Sequence, residues 1–108
     1  MTEAEIYLKF DSYEFRRVKQ HSSTNGVIYA DKKWIGKDAL IIPVPYDISD
    51  KMIERCKNKD GIYEICIPIN AFFTKQMKDA NSVSRVYLPF DFIGADCIIV
   101  EAPKIEYF

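Results

Sequence analysis

Six basic residues crowd into the twenty-two positions from Arg16 to Lys37: Arg16, Arg17, Lys19, Lys32, Lys33 and Lys37, opposed there by Asp31 alone. Cations at that density on strands and turns suit contact with phosphates. Each one that meets a nucleic-acid backbone releases a condensed counterion, and turn side chains can enter a groove. A solvated charged face is the plainer account of the same residues. The stretch from Val86 to Phe108 has the reverse balance, with Asp91, Asp96, Glu101 and Glu106 against Lys104, and would suit a basic protein partner.

Other chemistry is hard to assemble from these residues. His21, the single histidine, lies in a polar loop beside Ser22, Ser23 and Thr24, and a nucleophilic triad needs a base oriented by a third group. Cys56, Cys66 and Cys97 form no C-x-x-C pair, so they are expected to be buried small hydrophobes in a reducing compartment. Neither a phosphate loop nor a dinucleotide-binding glycine pattern occurs. An enzyme is therefore not expected, nor any cofactor or metal.

Fifteen basic residues against sixteen acidic ones give a net charge of −1, which argues against indiscriminate phosphate binding while leaving room for a local patch. With 48% hydrophobic and 29% charged residues, 108 positions suit one globular domain rather than a disordered or fibrous chain. The longest apolar run, Ala39 to Val44, falls far short of the ~20 residues of a membrane span. The acidic start, Met1-Thr2-Glu3-Ala4-Glu5, lacks the basic region of a signal peptide. A cytoplasmic protein with no membrane partner is expected, as a monomer or homodimer.

The elements that must carry the patch are mostly strands. Seven Tyr, seven Phe and one Trp beside many β-branched residues favour extended structure. Ile6, Leu8 and Phe10 alternate with polar neighbours, Asp11-Ser12 supplies a turn, and Tyr13 to Gln20 would close a hairpin on the first strand. Asn25-Gly26 is the strongest short turn signal. Val27–Ala30 and Asp38–Val44 read as strands flanking a turn at Asp31–Gly36, with Pro43 and Pro45 ending the second. Ile48 to Asn58 reads as the one helix, placing Ile48, Met52, Ile53 and Cys56 on one face. Strand signals return at Ile62–Ile69, Val83–Leu88 and Asp96–Glu101. The segment Asn70–Lys78 is also read as strand.

Shifting the chain by 58 residues lays Ile28–Pro45 on Val86–Pro103 without a gap. Six of the eighteen positions are identical: Tyr29/Tyr87, Ile35/Ile93, Gly36/Gly94, Asp38/Asp96, Ile41/Ile99 and Pro45/Pro103. Ordinary composition predicts about one. Ile28/Val86, Trp34/Phe92, Leu40/Ile98 and Ile42/Val100 keep their type, and Phe15 matches Phe73. The expected organisation is one domain, 1–108, with a ~40-residue unit at about 5–45, a linking helix at about 47–60, and a second copy at about 62–103. Trp34 and Phe92 would plug the core, and Gly36 and Gly94 would take a positive φ.

The second copy, Arg85-Val-Tyr-Leu-Pro-Phe-Asp-Phe-Ile-Gly94 entered through Thr74 to Ser82, resembles the swapped-hairpin domain of the AbrB/MazE/SpoVT group. It is most similar to the archaeal transposon-encoded protein family. The first copy keeps the order in Arg17-Val-Lys-Gln20, Asn25-Gly26, Ile28-Tyr29, Trp34-Ile35-Gly36 and Leu40-Ile41-Ile42. The resemblance implies a mainly β fold: an AbrB-like β-barrel formed by an intrachain duplication, with one short linking helix. It also implies a DNA-binding transcription regulator tied to a mobile element, with Arg85 as the family-like contact on double-stranded DNA. The chain departs from the pattern at Val27 and Asp31, which stand where the second copy has Arg85 and Pro89, and at the non-basic Phe90 and Asp91. Those departures support the alternative, an antitoxin-like or assembly component that binds a protein partner and has lost the DNA face.

Overall fold

A computed structural model describes residues 4–45 and 47–103. The chain is mainly β, in the order β1 (Glu5–Phe10), β2 (Tyr13–Arg17), β3 (Lys19–Gln20), β4 (Asn25–Asp31), β5 (Asp38–Pro43), α1 (Asp50–Glu54), β6 (Tyr63–Pro68), β7 (Phe73–Gln76), β8 (Lys78–Asp79), β9 (Val83–Pro89) and β10 (Asp96–Glu101). Single 3-10 turns at Lys32–Trp34 and Phe90–Phe92 precede β5 and β10. The strands form three antiparallel sheets with the orders β1-β6, β2-β10-β5-β7 and β3-β4-β9-β8.

β1, β4, the first 3-10 turn and β5 recur with identical bounds 58 residues on, as β6, β9, the second turn and β10. Each equivalent pair of strands is also a hydrogen-bonded pair. β4 and β9 centre on Ile28↔Val86, β5 and β10 on Ile41↔Ile99, and β1 and β6 between Tyr7↔Cys66 and Leu8↔Ile65. All three registers are those of one approximate twofold relation between the halves.

Only the edge strands slip. Val18 separates β2 from β3 and Met77 separates β7 from β8, an offset of 59 rather than 58. Both residues are buried corners with matching bonds. The Val18 N–H donates to Ala95 O at 2.9 Å and its carbonyl accepts from Gly94 N at 2.8 Å; Met77 does the same with Lys37 O and Gly36 N, both at 2.9 Å. Gly36 and Gly94 sit at φ 82° and 90°, a region L side chains disfavour, and so turn their N–H groups to these corners.

The sheet β2-β10-β5-β7 is the middle layer, which explains the unbroken apolar runs of its central strands. Ala39, Ile41, Cys97 and Ile99 face a core shared with Ile28, Val86, Leu88 and Trp34. Leu40, Ile42, Ile98 and Val100 face a second core beneath β1, β6 and α1, with Leu8, Phe10, Ile53, Tyr63 and Ile67. Each four-stranded sheet is open in its own hydrogen-bonding order, ending on β2 and β7 or on β3 and β8, where a closed barrel was expected.

Four local expectations are corrected. β1 pairs with β6 and β2 with β10, so they form no hairpin; Leu8 and Phe10 reach the second core opposite Ile65 and Tyr63, with Phe10 stacked on Tyr63 at 5.2 Å. Asn25-Gly26 begins β4 instead of turning the chain. The turn is made by Ser22, whose Oγ accepts from Thr24 N and Asn25 N, and a Cβ on Gly26 would come within 2.5 Å of Val18 Cγ1. The helix is five residues long, capped by Ser49, and of its expected face only Ile53 is buried while Met52 is 42% exposed. At the end of the expected helix Asn58 Oδ1 accepts from Asp60 N and Ile62 N, folding the backbone into a turn. Cys56 and Cys66 are exposed, Cys66 because β6 turns Ile65 and Ile67 inward and its alternate residues outward; Cys97 alone is buried.

Candidate nucleic-acid interface

Because Ile28, Ala30, Val86 and Leu88 point into the core, their neighbours in β4 and β9 lie on the opposite face, where Tyr29 is exposed and Val27 is covered at 2% exposure. Cross-strand register builds two rows on that outer face. One runs Lys19–Val27–Tyr87 across β3, β4 and β9, and the other runs Lys78–Arg85–Tyr29 across β8, β9 and β4. The twofold relation exchanges them, so a lysine flanks each side and a tyrosine ends each row. Val27 and Arg85 are the one unequal pair.

The two tyrosines differ in surroundings. Tyr29 is 41% exposed. Tyr87 carries the Arg85 guanidinium 5.4 Å from its ring centroid and the His21 ring at 4.8 Å. Arg85 Nε is buried and has no hydrogen-bond partner, so this guanidinium retains donor capacity beside a solvent-facing sheet.

The seven basic residues singled out in the sequence fall in four places. Lys19 and Arg85 lie on the outer face, and Arg16 and Lys32 line a cleft of about 450 Å³ against Tyr29 at its margin. Lys33 and Lys37 lie over the Trp34 ring, 5.3 and 5.9 Å from its centroid. Arg17 is bound to Asp96 across β2 and β10, with Nε 3.0 Å from Oδ1. Sequence reasoning missed Lys78, Tyr29, Tyr87 and His21 as members of this face. The identity of Tyr29 and Tyr87 at the repeat offset was the signal that could have found two of them.

Glu14 organises the margin. Its carboxylate accepts from Arg16 Nε at 3.0 Å, from the Asp31 N–H at 3.1 and 3.2 Å, and from the indole N–H of Trp34 at 3.0 Å. These bonds tie β2 to the end of β4 and to the first 3-10 turn. Farther round, the Tyr13 hydroxyl meets Asp50 Oδ1 at 2.5 Å and Glu54 Oε1 at 2.9 Å, which fastens α1 to β2. Burial, then hydrogen bonding to these two carboxylates, holds the Tyr13 phenol well above its ordinary pKa. Among the described residues no three His, Cys, Asp or Glu side chains are grouped to hold a metal ion, and no helix is long and apolar enough to cross a membrane.

No protein-family model, curated protein or solved structure matches the chain.

Proposed function

We propose that the protein is a cytoplasmic DNA-binding regulator of the AbrB-like, swapped-hairpin type, and that duplex DNA lies across the outer face of β3-β4-β9-β8. In this reading the two four-stranded sheets, joined edge to edge through Val18 and Met77, stand for the barrel of that group inside one chain. The supporting observation is the pair of exchanged rows, Lys19–Val27–Tyr87 and Lys78–Arg85–Tyr29. A duplex has local twofold symmetry, so two symmetry-related lysines can meet phosphates on both strands while Arg85 adds a contact on one side only. Fluorescence anisotropy of a labelled mixed-sequence duplex at low salt tests the reading. Binding that falls when Lys19, Lys78 and Arg85 are replaced by Ala supports it; no binding, or binding those changes leave intact, overturns it.

A second reading has its own observation. Pro43, Val44, Pro68 and Phe92 line an apolar cleft, and the neighbouring Phe72 is 55% exposed. Together with the net charge of −1, this favours a protein-binding module. Absence of DNA binding combined with selective capture of a partner that Phe72→Asp no longer retains is the result that would establish it.

A further inference from the structure

The twofold relation makes two copies of one cleft, and the copies differ in chemistry. With Trp34 from the first core and Phe10 from the second, Ser12 and Ala102 line a cleft of about 440 Å³. Their counterparts 58 residues away, Pro68, Asn70, Phe92 and Val44, line the apolar cleft just described. The first cleft adds Lys9, Lys33 and Lys37, with Asp11 and Glu101 on its walls. At the equivalent positions for the second cleft the chain has Ile67, Asp91, Ala95, Ile69 and Pro43. The backbone elements are the same at both ends, yet only the end that holds Trp34 carries these charges.

The cations are placed to act. Lys33 Nζ donates to Ser12 Oγ at 2.9 Å, and both Lys33 and Lys37 hold their ammonium groups over the same indole. Lys9 is paired with Glu64, but neither Lys33 nor Lys37 is within ion-pair distance of a carboxylate among the described residues, although Asp11 and Glu101 line the same cleft. Two cations gathered over one ring, with neither in ion-pair contact with the carboxylates of the same cleft, favour a doubly charged anion between them. The two unpaired carboxylates favour hydroxyl donors on the same ligand.

We propose that this cleft binds a small phosphate ester bearing hydroxyl groups, such as a sugar phosphate, with the phosphate on Lys33 and Lys37 and the hydroxyls toward Asp11 and Glu101. The site does not depend on DNA binding, because Lys19, Lys78 and Arg85 are outside it.

Trp34 is the only tryptophan and lines this cleft, so its fluorescence reports binding there. Ribose 5-phosphate should shift the emission saturably, and ribose at the same concentrations should not. Lys33→Gln with Lys37→Gln should weaken the response by about tenfold or more, whereas Lys33→Arg with Lys37→Arg should keep it within about threefold, which separates lost charge from lost folding. Lys19→Ala with Arg85→Ala should leave it unchanged. No saturable shift with ribose 5-phosphate, or equal affinity in the Gln double variant, overturns the proposal. A response to duplex DNA alone, lost in that variant, also overturns it by assigning the lysines to a DNA track.

Discussion

The indole N–H of Trp34 donates to Glu14 across twenty residues of chain, at 3.0 Å, and the same carboxylate takes the backbone N–H of Asp31. Removing the acceptor strands two donors at the edge of the first core. Glu14→Ala should therefore destabilise the fold by roughly 2–3 kcal/mol, and Glu14→Gln, which keeps an acceptor, by about 1. Urea midpoints at constant m would show this; equal costs for the two variants would mean that the bonds contribute little.

Trp34 and Phe92 occupy equivalent positions but not equivalent environments. Trp34 is 2% exposed, whereas Phe92 is partly buried and meets Phe73 edge-on at 5.0 Å. Trp34→Ala should cost about 3–5 kcal/mol and Phe92→Ala distinctly less, about 1–3. Equal losses in thermal unfolding would contradict the asymmetry of the two ends.

Glycines 26 and 36 test different physics. A methyl on Gly26 collides with Val18 Cγ1, a buried corner that cannot move away, while one on Gly36 meets nothing within 4 Å and costs only left-handed backbone strain. Gly26→Ala should destabilise by about 1–3 kcal/mol through overpacking, and Gly36→Ala by about 1–2. For Gly26 the cost should shrink when Val18→Ala is combined with it, as a double-mutant cycle would reveal; simple additivity would deny the contact.

Burial, followed by the neighbouring Asp96 carboxylate, pushes the Cys97 thiol up to about 12. In the unfolded chain a thiol titrates near 8.5. Because the folded value is the higher one, the unfolded state releases its proton first, so the stabilisation is complete below about pH 8.5 and is lost as pH rises toward 12. Tyr13, raised for its own reasons, adds loss of the same sign at higher pH. Unfolding free energies measured through the alkaline range should fall less steeply in Cys97→Ala than in the native chain. Parallel slopes would show that this thiol does not set the trend.

On the proposed DNA face, Lys19 and Lys78 should behave alike. Each replacement by Ala should reduce the salt dependence of binding by about 0.9 in log–log slope, and Arg85→Ala should do the same with a bias toward one side of the site. Arg17→Ala, which removes a partner of Asp96 instead, should leave the slope unchanged. Titrations at several salt concentrations decide the matter, and a dominant effect from Arg17 would move the DNA elsewhere.

The strands β4, β5, β9 and β10 were legible because alternation, prolines and the offset of 58 are local or self-referring signals. Their partners were less so. β1 lies beside β6, more than fifty residues away, and nothing near Phe10 says that Asp11-Ser12 leads away from a hairpin. Asn25-Gly26 misled because glycine there serves close approach to Val18, which the same dipeptide cannot distinguish from a turn. For the site, Lys19 and Arg85 could be picked out by charge and by the repeat. Lys78 could not, because it joins Arg85 only through the β8–β9 register. Lys33 and Lys37, close in sequence to Lys32, are set apart from it by the 3-10 turn that buries Trp34.

Among the described residues of the first half only the short β3–β4 ladder links one strand to another; β1, β2 and β5 find their ladders in the second half, as does most of β4. The order of synthesis therefore cannot be the order of assembly. A nascent chain that has just emerged as far as α1 holds Ala39 to Ile42 and Leu8 to Phe10 with nothing to pair them, and such apolar strands are prone to capture by other chains. Slowing elongation should lengthen this vulnerable interval rather than help the protein fold.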